Sequence, residues 1–259
     1  MERLSALSRS ITGSVALVTG AGSGMGRATA HLFADEGAKI ALVDVNAEAL
    51  EQVAQEIHGV EGEALVLPCD CSVQADIETA IGATAEHYGG LDILVNNAGF
   101  AVPTGIEAEQ YDAVWEKSLA VMVNAQQWAI RTALPHLLES DHPRVVNVAS
   151  TEAMGATAYN SPYVVAKHAS LGLTRALAVE LGKFGITVNC ICPGPIRTGI
   201  TDAIPEEHKT LFANRRTALR RYGAPEEVAQ VTLSLVLPAA SFITGALVPV
   251  DGGVTIRNA

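Results

Sequence analysis

Along the 259 residues, short apolar runs alternate with longer stretches of helical period. The runs fall at residues 14–19, 39–44, 64–69, 91–96, 144–149, 187–192 and 246–250, and their Val, Ile, Leu and Ala content is that of strands buried on both faces. Between them apolar residues recur at helical spacing, as in Ala28, Leu32 and Phe33 after the first run, at i, i+4 and i+5. Steady alternation of this kind predicts an α/β fold: a Rossmann-like, doubly wound parallel sheet of about seven strands with helices on both faces and right-handed crossovers. Ligands of such sheets bind beyond the carboxyl ends of the strands. Residues 197–224 form the longest stretch without a clear period. Nothing in the chain reads as a repeat, a low-complexity tract or a linker, so residues 1–259 are expected to form one domain.

Directly after the first run comes Thr19-Gly20-Ala21-Gly22-Ser23-Gly24-Met25-Gly26. A buried strand, a glycine-rich turn and a helix N-terminus make an anion site, because free backbone N–H groups and the helix dipole favour a pyrophosphate. The dinucleotide fingerprint Gly-x-Gly-x-x-Gly fails from Gly20, whose sixth position is Met25, but Gly20, Gly24 and Gly26 form a close variant. Far downstream, Tyr163 and Lys167 stand one helical turn apart, and Ser150 follows the fifth apolar run. That spacing puts phenol and ammonium on one helix face, where the cation favours the phenolate and is expected to draw Tyr163 down toward working pH. A tyrosine so placed acts as an acid or a base.

Thr19 to Gly26, Asn96-Asn97-Ala98-Gly99, Ser150, Tyr163 to Lys167, Pro193-Gly194 and Val250-Asp251-Gly252-Gly253 follow one another in the order of a known motif set. On them the chain resembles the classical short-chain dehydrogenase/reductase family, from Gly13 to Gly253. The resemblance implies hydride transfer between NAD and a secondary alcohol or ketone. Tyr163 would move the proton, Ser150 would hold the substrate oxygen, and Lys167 would bind the nicotinamide ribose while favouring the tyrosinate. It also implies cofactor contacts at Gly20, Ser23, Gly24, Met25, Gly26, Asp44, Val45, Asp70, Cys71, Asn97, Ala98, Gly99, Tyr163, Lys167, Pro193, Gly194, Ile196 and Thr198. Asp44 ends the second apolar run 18 residues after Gly26. A carboxylate there accepts from the adenosine ribose and repels a 2′-phosphate, so NAD is expected over NADP. Ser23 stands where NADP-using relatives often carry Lys or Arg.

One position departs from the family. Its usual helix asparagine aligns with Met122, and Asn124 lies about 200° further around an ideal helix, away from the site. The family's water relay to the lysine runs partly through the backbone carbonyl here, which Met122 retains. Residues 197–224 align with the family's substrate lid and carry Arg215, Arg216, Arg220 and Arg221; these either bind an anionic substrate tail or belong to a solvated, salt-bridged helix with Glu206, Glu207, Glu226 and Glu227. Glu152, Tyr159, Phe100, Met154 and Pro195 are candidates for the substrate pocket. Two further functions stay open: a 3-oxoacyl carrier-protein reductase, and a non-catalytic NAD-binding protein, the latter motivated by Met122.

Composition narrows the partners. A formal charge of −11 argues against nucleic acid or anionic membrane, and no apolar run approaches spanning length. Residues 1–12 read as a short N-terminal extension and not as a signal peptide. Cys69 with Cys71 and Cys190 with Cys192 have strand spacing; the family's strand order separates the two pairs, so they read as buried free thiols in a cytoplasmic protein and not as a metal site. His136, Glu139, Asp141 and His142 occupy a helix-end turn and read as solvated, so no metal is expected. The family resemblance also implies a homotetramer, through residues 242–250 and the helix after Tyr163.

Overall fold

The computed structural model describes residues 6–258; residues 1–5 of the expected extension, and residue 259, lie outside the described residues. Seven parallel strands form one sheet: β1 (Val15–Thr19), β2 (Lys39–Asp44), β3 (Glu63–Pro68), β4 (Ile93–Asn96), β5 (Arg144–Val148), β6 (Thr187–Pro193) and β7 (Leu247–Val250), in the order β3-β2-β1-β4-β5-β6-β7. Between them run α1 (Gly24–Asp35), α2 (Ala47–His58), α3 (Gln74–Tyr88), α4 (Tyr111–Leu119), α5 (Ala125–Glu139), α6 (Ser161–Leu181), α7 (Gly199–Asp202), α8 (Glu206–Arg216) and α9 (Pro225–Val236).

Every residue of β1, β4, β5 and β6 is buried, because helices cover both faces. Phe33, Leu50, Ile57, Val228 and Leu235 of α1, α2 and α9 pack on one face, and Ile77, Ile81, Ile130, Leu137 and Leu181 of α3, α5 and α6 on the other. A polar thread crosses the second layer. Asn96 Nδ2 donates to Asn147 Oδ1 at 2.9 Å, and Asn147 Nδ2 donates to Thr174 Oγ1 at 2.9 Å, so these buried amides find partners. Strand order reverses between β1 and β4, and the loops after β1 and β4 separate there to leave a crevice.

One reading of the sequence is corrected. The stretch 197–224 is largely helical: α7 and α8 occupy it, and α8 hid from periodicity because it is polar nearly all round. Its Glu206 and Glu207 at the N-terminus and Arg215 and Arg216 at the C-terminus complement the helix dipole instead. The described part of the expected extension packs against the domain. Ile11 is buried in the core, and the Ser8 carbonyl accepts from Ala239 N–H at 2.9 Å.

Candidate active site

A cavity of about 620 Å³ opens at the strand-order reversal. Gly20, Ser23, Gly24, Met25, Asp44, Val45, Asp70, Cys71, Asn97, Ala98, Gly99 and Thr198, all expected at a nucleotide, line it together with the pocket candidate Phe100. Cys69, Ala101, Lys117, Val121, Gly199 and Ile200 line it too and escaped the sequence reading. For Lys117 and Val121 a signal existed, since they lie one helical turn apart on the segment leading to Met122.

The glycine turn fits a dinucleotide. Gly20 adopts φ +68°, and a Cβ there would meet Asn97 Nδ2 at 2.8 Å. A Cβ on Gly26 would overlap the Gly20 carbonyl oxygen, so only glycine lets α1 start this close to β1. At the N-terminus of α1, Ser23 makes no side-chain cap and the first turn holds no acid, which leaves N–H groups for an anion. Asp44 is held at the rim: its Oδ2 accepts from Gly22 N–H at 3.1 Å and its Oδ1 from Asn46 N–H at 3.0 Å. Asn97 braces the turn, its Nδ2 donating to the carbonyls of Thr19 at 2.9 Å and Gly20 at 3.2 Å.

Beyond β5, Ser150 caps the 3-10 turn Thr151–Ala153; its Oγ accepts from Glu152 N–H at 3.2 Å, which leaves the hydroxyl proton free to donate. Tyr163, in the first turn of α6, presents its phenol to the Ser150 side chain. Lys167 is buried one turn later, with Nζ 5.4 Å from the Tyr163 ring centroid and donating to the Val148 carbonyl at 2.8 Å. Burial pushes Lys167 down to about 8, against the opposing influence of Cys190 and Cys192. Burial also raises Tyr163, with Ser150 acting the other way and Glu152 and Cys192 adding to the rise. The expected drawing-down of Tyr163 is therefore not met. The ammonium lies over the ring, is bound to a carbonyl, and is itself desolvated, so burial of the phenol wins.

Met122 is fully buried on a π turn, Ala120–Asn124, that joins α4 to α5. Asn124 is exposed on its other side, as its spacing predicts. Of the pocket candidates other than Phe100, none lines the main cavity. Glu152 is tied to its own loop, accepting from Thr157 N–H at 2.9 Å and Thr157 Oγ1 at 2.7 Å. Met154 and Tyr159 are exposed; Tyr159 takes φ 60° while its carbonyl accepts from Thr104 N–H at 2.6 Å.

Pro195 and Ile196 line a separate cavity of about 210 Å³ beside Gly223 and residues 249–252. The cause is a backbone exchange: the Pro195 carbonyl accepts from Gly223 N–H, and Arg197 N–H donates to the Gly223 carbonyl, both at 2.9 Å. Pro193 and Gly194 stay out of the main cavity, and a Cβ on Gly194 would come within 2.7 Å of Asp251 Cα. That glycine serves close packing. The lid arginines do not reach the cavity either. Arg221 forms a forked pair with Glu227, both contacts at 2.6 Å, while Arg215, Arg216 and Arg220 are exposed. Among the described residues no three His, Cys, Asp or Glu side chains are grouped to hold a metal, and no helix is long and apolar enough to cross a membrane.

A family model described as enoyl-(acyl carrier protein) reductase matches residues 20–255. The meso-2,3-butanediol dehydrogenase of Serratia marcescens is 38% identical over 244 residues, covering 94% of this chain and 95% of that protein. A solved short-chain dehydrogenase/reductase from Serratia marcescens superposes with a TM-score of 0.88 at 34% identity, covering 95% of this chain and 99% of the other. A solved 7α-hydroxysteroid dehydrogenase complexed with NADH and 7-oxo glycochenodeoxycholic acid gives a TM-score of 0.90 at 29% identity, over 95% and 96% of the two chains. The chain belongs to the short-chain dehydrogenase/reductase family.

Proposed function

We propose that this short-chain dehydrogenase/reductase is an NAD-dependent oxidoreductase interconverting a small or medium, uncharged secondary alcohol and its ketone. The observation that carries the reading is the convergence of Ser150, Tyr163 and Lys167, with the Lys167 ammonium beside Gly99, which lines the nucleotide cavity. Bound nicotinamide supplies the hydride donor or acceptor; the remaining work falls to these side chains. Ser150 donates its free hydroxyl proton to the substrate oxygen and holds it in place. Tyr163 passes its phenolic proton to that oxygen in reduction and takes a proton from it in oxidation. Lys167 stabilises the tyrosinate by charge, and the donors it does not spend on Val148 are available to ribose hydroxyls.

Asp44 supports NAD. Its carboxylate is fixed at the cavity rim by two backbone N–H groups, where a 2′-phosphate would face it. Lys117, the one basic side chain among the lining residues described, does not offset it: Lys117 stands 5.5 Å over the Phe100 ring and acts on Asp70. The lid arginines, proposed for an anionic substrate tail, are paired or exposed away from this cavity, which supports a neutral substrate.

A 3-oxoacyl carrier-protein reductase is the second reading, favoured by the 34% identity to a 3-oxoacyl-[acyl-carrier-protein] reductase of Thermotoga maritima. Asp44 and a net charge of −11 weigh against it, since such enzymes generally use NADP and dock an acidic carrier. Steady-state turnover separates the readings: secondary alcohols with NAD, meso-2,3-butanediol among them, beside a 3-oxoacyl thioester with NADPH. Turnover of the thioester alone would overturn the proposal. NAD binding without turnover of any substrate would favour a non-catalytic role. The assembly we expect is a homotetramer, and the compartment the cytoplasm.

A further inference from the structure

Four free cysteines are arranged as two pairs of one-residue separation, and the fold treats the pairs differently. Cys190 and Cys192 lie inside β6, hydrogen-bonded to β5 on one side and β7 on the other. Extended backbone spaces such residues about 6.6 Å apart, near the upper limit of a disulfide, and the two ladders prevent closer approach. Neither lines the main cavity or the one beside Gly223. Cys69 and Cys71 sit just beyond β3, at the edge of the sheet. There the chain leaves the ladder: Cys69 N–H still bonds the Asp44 carbonyl at 2.9 Å, but Val73 N–H turns back to the Asp70 carbonyl at 2.8 Å. Both residues line the main cavity, along with Asp44 and Asp70. At 3% and 7% exposure they are closed to solvent except from that cavity.

We propose that Cys69 and Cys71 are an oxidisable dithiol site within the adenosine end of the cavity, which a peroxide converts to a disulfide that weakens NAD binding. The inference rests on the cavity being the NAD site. Cys69 is the attacking sulfur: the neighbouring Cys71 thiol holds it below the ordinary cysteine value, against burial and the carboxylates of Asp76, Asp70 and Asp44. The Cys69 thiolate attacks one oxygen of hydrogen peroxide, the O–O bond breaks, and the released hydroxide takes a proton to leave as water. Cys71 sulfur then displaces the oxygen of the Cys69 sulfenic acid, which leaves as a second water, and an S–S bond remains. Two thiols lose two electrons and two protons; one peroxide becomes two waters. Closing the ring moves Asp70, whose carboxylate is fixed to Ser72 N–H at 2.8 Å and whose N–H is bound to Asp76 at 3.1 Å. The wall that meets the adenine is thereby distorted.

The test uses the full chain, first reduced and then treated with hydrogen peroxide. NAD affinity is measured by calorimetry, and thiols are mapped by alkylation in denaturant and mass spectrometry. The expected result is a 69–71 disulfide, Cys190 and Cys192 still alkylatable, NAD affinity lowered by about tenfold or more, and recovery with dithiothreitol. NAD present during treatment should slow the oxidation. In Cys71→Ser, and in Cys71→Val as the variant that keeps apolar packing, affinity after peroxide should stay near each variant's own value before treatment. A 69–71 disulfide with unchanged affinity overturns the inference, as does peroxide treatment that leaves both thiols free. Failure of the reduced protein to bind NAD is a different result, which removes the cofactor reading and this inference with it.

Discussion

The sulfur of Met122 and the ammonium of Lys167 meet on one side of Gly99: a methyl group there would lie 3.4 Å from Met122 Sδ and 3.5 Å from Lys167 Nζ. A thioether accepts hydrogen bonds only weakly, so it walls the lysine without solvating it, in keeping with the burial that pushes Lys167 down. Met122→Asn should therefore raise kcat modestly or leave it unchanged, with NAD affinity hardly moved. The amide, if it finds no partner at this fully buried position, costs about 1 to 3 kcal/mol of stability. Melting temperature measured beside kcat separates the two effects. A stable variant whose kcat collapses would show that the relay is built around methionine.

Tyr163→Phe should retain NAD binding and lose nearly all turnover, because the ring keeps its packing while the proton is gone. Titration calorimetry with NAD and a single-turnover assay check the two halves. Retained turnover would remove Tyr163 from the chemistry.

Lys167 should cost stability in the fold. Its displacement from an ordinary 10.5 to about 8 means that the folded protein disfavours the ammonium, by roughly 3 kcal/mol at neutral pH. The penalty is full below pH 8 and fades as pH rises from 8 to 10.5. Lys167→Met should thus be inactive yet melt higher than wild type at pH 7, with the gap narrowing by pH 10. A lower melting temperature at pH 7 would contradict this. Ketone reduction should also decline above about pH 8, as Lys167 loses the charge that stabilises the tyrosinate.

NAD should be preferred to NADP by at least about tenfold in kcat/KM, since a phosphate set against the Asp44 carboxylate costs about 1.4 kcal/mol or more. Asp44→Ala should narrow that preference. Equal kcat/KM values for the two cofactors in the wild type would sink the assignment.

Phe242 is fully exposed, Ile243 is partly so, and Val179 on α6 is largely exposed. Apolar groups on the segments expected to pair subunits suit an interface. Light scattering at micromolar concentration should give a homotetramer, and Phe242→Ser should shift it toward smaller species. A wild-type monomer would contradict the expectation.

How much of this was legible in the chain depended on how local the cause was. The strands announced themselves because burial on both faces demands continuous apolar runs, and each begins and ends within about two residues of the expected position. The glycine turn was legible for the same reason: Gly20 needs its positive φ and Gly26 its missing Cβ whatever the rest of the molecule does. Ser150, Tyr163 and Lys167 were legible as types and spacing. Their electrostatics were not, because desolvation depends on what else is packed around Lys167 and the phenol.

Only the tertiary structure decided where loops went. Pro195 and Ile196 stand next to a motif expected at the cofactor, yet the backbone exchange with Gly223 turns them into a second cavity. Tyr159, one turn before Tyr163, ends in solvent because its carbonyl is taken by Thr104. Cys69-x-Cys71 and Cys190-x-Cys192 are indistinguishable as sequence; one pair is locked between two strands and the other lines the cavity, since sheet order alone assigns β6 two neighbours and β3 one. Short-range sterics and periodic burial are written residue by residue, whereas desolvation, loop direction and which cysteines face a cavity are set by contacts between segments far apart in the chain.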